Sequence, residues 1–157
     1  MRRVKSLASD EDGAELVEFA LSATILFAMI FGIIQFSLLM FAGNFVAIAA
    51  QQGTRYAMVR GSDWTIPCAA VSSYDCEVNT PTMVQNYILS QPHPGLNLKA
   101  SNITVTWPTT TASGATCVQY SQGCQVEVKV SYPFKLSIPL FSASFPLTST
   151  SIETIQD

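Results

Sequence analysis

Residues 19–54 carry no charged side chain, an unbroken run of 36 that ends only at Arg55. A soluble domain rarely tolerates such a stretch, whereas about 18–20 apolar residues suffice to cross a bilayer. Residues 16–41, rich in Leu, Ile, Phe, Met and Ala, extend about 39 Å as a helix, more than the roughly 30 Å hydrocarbon core requires. The hydrophobic 48% of the chain is pooled here, and only 12% of residues are charged, about half the share of an ordinary soluble protein. The 157 residues hold one ordinary domain and are too few for two. Composition therefore favours a membrane-anchored protein.

Inside lipid every backbone polar group needs a partner within the segment, so a single isolated span must be a helix. Beyond Phe41 the pattern turns amphipathic. Phe45, Ile48, Ala49, Gln52, Tyr56 and Val59 recur at steps of three and four, a stripe suited to packing a C-terminal domain. The spacing predicts one long helix over residues 14–60, membrane-spanning to about residue 41, with Gly61 as its stop. Gly32 and Gly43 fall within it, as membrane helices tolerate. Ala47-Ile48-Ala49 could be read as a signal-peptidase site. The apolar stretch is too long for a signal peptide, however, and its leading region carries four acids up to Glu15.

The chain turns polar after Gly61. Residues 63–79 read as an irregular loop, in which Asp75 and Glu77 flank Cys76 as a solvated acidic cluster. Thr80-Pro81 looks like a helix N-cap with Pro in the first turn, and Met83, Val84, Tyr87 and Ile88 form one apolar face. The string Gln91-Pro92-His93-Pro94-Gly95 ends that helix. From there the period is two. Residues 102–107 alternate, Val126, Val128, Val130, Tyr132, Phe134 and Leu136 share one face, and residues 145–155 form a third strand-like run. Pro133 demotes its run to an edge strand or calls for a bulge. Residues 109–123 read as a polar, exposed insertion. The expected architecture is α+β: a long N-terminal helix, then over residues 61–157 a short helix and a three- to four-stranded antiparallel sheet, with one face on the long helix.

Cys68, Cys76, Cys117 and Cys124 all follow the span, and none forms a metal-like CxxC pair. Four cysteines in an exported domain read as two disulfides, which persist only outside the cytoplasm. This puts the N-terminus inside and residues 61–157 outside, where basic residues alone give only a weak bias. Of three connectivities the two local ones are expected, Cys68–Cys76 and Cys117–Cys124, each closing a loop of about 8 residues.

Catalytic signals are missing. His93 is the one histidine, and no GxSxG, HExxH or glycine-rich phosphate loop occurs. No enzymatic activity, cofactor or metal is expected, and a net charge of −3 argues against nucleic acid as partner.

Two features of the junction stand out. Gly13 sits where a polar leader, residues 1–13, meets the apolar helix, and Glu18 places a carboxylate one turn inside it. A charge at mid-bilayer costs about 2.5–3.5 kcal/mol on insertion scales, although near a helix N-terminus an acid gains a few tenths to about 1 kcal/mol from the dipole. The string Gly13-Ala14-Glu15-Leu16-Val17-Glu18-Phe19 resembles type IV prepilins, and the longer GAELVEFAL running into FGIIQF is similar to the TadE-like pseudopilins of tight-adherence (Flp) pilus systems. That resemblance implies cleavage between Gly13 and Ala14 by a prepilin peptidase on the cytoplasmic side. It also implies a place in the bacterial inner membrane, and in a filament after assembly. Assembly roles fall on Glu18 and Phe19. The implied partners are the peptidase, other pilins or pseudopilins met through the helix, the inner-membrane pilus platform and the lipid bilayer. The alternative is an unprocessed single-pass protein whose exported domain is a binding module.

Overall fold

A computed structural model describes residues 11–61, 80–92, 95–110, 114, 116–118, 120–138 and 141–156. The expectations for Cys68, Cys76, Asp75, Glu77 and His93 lie outside these residues. Helix α1 spans Glu11–Val59 without interruption, about 73 Å at 1.5 Å per residue. Helix α2 covers Pro81–Ser90. Strands β1 (Ile103–Thr106), β2 (Gln125–Ile138) and β3 (Phe141–Thr154) form an antiparallel sheet in the order β1-β2-β3. The architecture is the expected α+β with three strands.

The local reasons follow the sequence. Pro81 opens α2, where its missing N–H costs nothing, but Thr80 sits in extended backbone without capping through its side chain. Val84 and Ile88 are buried on the expected face. Gln85 Nε2 donates to Ile103 O at 2.8 Å, tying α2 to the start of β1. On β2 the period of two holds throughout, with Val126, Val128, Val130 and Phe134 buried and Lys129 and Lys135 exposed.

Of the two expectations for Pro133, the bulge is absent and the edge is met locally: β2 is central in the strand order, but at Pro133 it pairs on one side only, and its register continues through Pro133↔Pro146. Two imides facing each other cannot exchange hydrogen bonds, so this is a non-hydrogen-bonded position of the ladder. At such a position both missing N–H groups point outward. β1 pairs only with residues 127–130, so beyond Val130 that side of β2 has no strand to lose.

The stripe on α1 also differs from expectation. The buried residues are Ala42, Val46, Ala49, Ala50, Gly53, Thr54, Tyr56 and Ala57, while Gln52 is exposed and Ile48 is 50% exposed. Small side chains mark the true seam because they let the helix approach the sheet. A Cβ at Gly53 would lie 2.5 Å from Ile88 Cδ1 and 3.2 Å from Val128 Cγ1. Gly53→Leu is therefore expected to lose about 1–3 kcal/mol by overpacking. Thermal unfolding of the full chain in detergent, followed by circular dichroism, measures this, and an unchanged midpoint would mean the seam is looser than drawn.

Around this seam Val46, Ala49, Val84, Ile88 and the three β2 valines form one core with Ile103, Val105, Trp107 and Ile155. Tyr56 stacks on Tyr87 with centroids 4.0 Å apart, and the Arg60 guanidinium lies 4.7 Å above the Tyr56 ring. The insertion read as wholly exposed is partly core. Cys124 is buried, Cys117 and Tyr120 pack against the core, and Tyr120 meets Trp107 edge-on at 4.7 Å. Cys117 and Cys124 are disulfide-bonded, with Cα atoms 5.7 Å apart. A loop this short contributes about 2.5 kcal/mol in the chain-entropy model.

Candidate assembly site on the N-terminal helix

Helix α1 already includes Glu11, ahead of the expected first residue, Ala14, so Gly13 lies inside the helix. Nothing stands within 4 Å of where a Cβ on Gly13 would be. Glycine in a helix interior costs about 1 kcal/mol relative to alanine, so this chain's own packing gives no reason for glycine there. One turn on, Ala14 and Glu18 share a face at i and i+4. Glu15, Glu18 and Phe19 are all exposed, Phe19 by 73%.

The polar residues deeper in the helix are handled differently. Thr24 Oγ1 donates to Ala20 O at 2.7 Å and Ser37 Oγ to Ile33 O at 2.9 Å. Each hydroxyl is satisfied by its own helix, as a lipid environment requires. Gln35 finds a partner elsewhere, donating from Nε2 to Ser137 O at 3.1 Å, across 102 positions of sequence. Among the described residues no donor meets Glu18. It is the last carboxylate before the uncharged run of α1.

Between Glu18 and Gln35 the side chains of α1 are largely exposed among the described residues. Leu26, Phe27, Ile30, Ile33 and Phe36 are exposed, and the helix is long and apolar enough to cross a membrane. Beyond Gln35, α1 meets the sheet across a cleft of about 370 Å³ lined by Leu38, Phe41, Lys99, Tyr132, Phe134 and Lys135 among others. Among the described residues no carboxylate or histidine lines it. Among the described residues no group of His, Cys, Asp or Glu is arranged to hold a metal.

The structure thus brings the junction residues onto one exposed helix end and places Cys117 and Cys124 in a bond some 60 residues of chain beyond the seam. Sequence reading passed over Gln35. Its signal was there, an amide in residues 19–41 that are otherwise free of large polar groups, but its partner was not.

Residues 13–55 match the family model of TadE-like proteins. The match coincides with the exposed and seam portions of α1 and stops before α2 and the sheet. It associates the chain with tight-adherence pilus systems. No curated protein and no solved structure matches the chain.

Proposed function

With a TadE-like helix as premise, we propose that this chain is a minor, pseudopilin-like subunit or assembly component of a tight-adherence (Flp) pilus. A prepilin peptidase cuts between Gly13 and Ala14 at the cytoplasmic face of the inner membrane. The helix then serves first as anchor and later as packing element among other pilins and the membrane platform, while residues 61–157 face the outside. The observation that carries this reading is Glu18, an exposed carboxylate on an apolar helix that meets no donor among the described residues. Such a group points to a function or to a partner from another molecule.

Three further features support it. Gly13 is glycine without any internal need, which fits a residue selected by a protease that acts at a membrane face. The Cys117–Cys124 bond fits an oxidising compartment, where Cys68 and Cys76 remain to pair with each other. Release by signal peptidase near Ala49 is disfavoured, because it would strip Ala42, Val46 and Ala49 out of the seam with the sheet. The domain of residues 61–157 goes beyond what a bare helical pilin carries, and this favours a minor component.

The intact mass of the chain recovered from membranes tests the proposal. Loss of the residues up to Gly13 is expected. An uncut chain would instead indicate a single-pass protein with an exported binding module, and loss of about 49 residues a secreted protein.

A further inference from the structure

The β2–β3 hairpin does not stay with the core. It runs down α1 toward the apolar half, antiparallel to it on the β2 side. Val128 lies level with Gly53 and Ser137 level with Gln35. The lengths agree: nine strand residues rise about 30 Å and eighteen helical residues about 27 Å. The end of the hairpin therefore sits beside the part of α1 read above as the membrane span.

Charge and depth decide what lies there. If Glu18 keeps its carboxylate at the first interface, the hydrocarbon begins near Phe19. A 30 Å core takes about 20 helical residues, which brings the far boundary to Leu38. Leu38 shares the cleft with Lys135 and Lys99, both exposed. Gln35 and Ser137 then lie about 5 Å inside that boundary, and the Ile138↔Phe141 pair about 8 Å inside it. From residue 136 to residue 152 the sequence carries no charge. The β2–β3 register continues to Ile138↔Phe141, so the ladder satisfies the backbone between the strands, and Gln35 takes the Ser137 carbonyl. Phe145 keeps 45% of its surface exposed. The first cations met on leaving this zone are the two lysines at the cleft.

We propose that the end of the β2–β3 hairpin is a second membrane contact, seated in the lipid interface at the end of the span opposite Glu18, with Lys99 and Lys135 facing phospholipid phosphates. The reading rests on α1 being a membrane span. Shallow insertion of an uncharged element about 5–10 Å into the headgroup and acyl boundary is an ordinary interfacial mode, and lysines at that level reach anionic headgroups with their stems on apolar surface. The contact would hold the exported domain upright against the membrane before assembly.

Photo-crosslinking of the full chain in nanodiscs of phosphatidylethanolamine and phosphatidylglycerol tests this. A benzophenone amino acid is placed singly at Phe27, Ser142 or Ile152, and adducts are read by intact mass. Lipid adducts are expected at Phe27 and, in comparable yield, at Ser142. At Ile152, about 33 Å further along the strand, the yield should be at least about tenfold lower. Lipid at Phe27 without lipid at Ser142 would overturn the proposal, as would a Ser142 adduct to a second copy of the chain. Failure at Phe27 itself would instead remove the span, and the proposal with it.

Discussion

Glu18→Gln is expected to mature normally and fail to assemble, while Glu15→Gln does neither harm. Cleavage after Gly13 creates an α-amino group on Ala14, cationic below its usual pKa of about 7.7–8.0. Ala14 and Glu18 lie on one face of α1, and among the described residues nothing else meets the carboxylate. The amine can serve Glu18 within one helix, or Glu18 of an incoming subunit can neutralise the amine of its neighbour and set the axial register. Either arrangement places a charge pair near hydrocarbon. Removing one partner of a buried pair costs about 3–5 kcal/mol, more than about 100-fold in association. Glu15 lies nearer the helix start, where water reaches it, and its amide should shift association by less than about 0.5 kcal/mol. Mature mass and recovery in cross-linked complexes compare the two variants. Wild-type assembly of Glu18→Gln would reduce the carboxylate to an interfacial helix-end group.

Gly13→Leu should remain at its uncut mass while inserting as before. The helix itself gains from the change, since leucine is the better helix former and the space around Gly13 is open. A folding defect therefore cannot account for a block, which makes the variant a clean reporter of the protease. Any side chain that displaces the scissile bond by about 1 Å costs on the order of 100-fold in rate, and because Gly13 and Ala14 lie within α1 a peptidase has to unwind this turn to reach the bond. Glycine is the residue whose helix unwinds most readily. Normal mature mass from Gly13→Leu would refute the site.

The two variants separate processing from assembly. One removes the cut and keeps the acid, and the other does the reverse. The hairpin contact is independent of both, because it concerns the opposite end of the span.

Some of this molecule follows from local chemistry alone. A run of 36 uncharged residues determines a helix long and apolar enough to cross a membrane, since in lipid a single span has no other way to pair its backbone groups. The period of two in residues 125–136 determined which face of β2 is buried, and Val126, Val128 and Val130 are fully inside. Gly13 and Glu18 were legible for the same reason, as residues at odds with the helix around them.

What tertiary structure decided lies where a residue's role depends on a distant neighbour. Periodicity named Ile48 and Gln52 for the seam, yet both are exposed while Ala42, Ala50 and Gly53 are buried in it, because the approach of helix to sheet is limited by side-chain size, which an apolar periodicity does not encode. Pro133 read as an interruption until Pro146 was found opposite it, where neither N–H is wanted. Gln35 had no meaning before Ser137 arrived beside it, 102 positions away in the chain. That pairing sets the hairpin against the apolar half of α1, and no pattern within either segment specifies it. A period reports which face of an element turns inward, but only the packed chain determines what that face meets and at what depth.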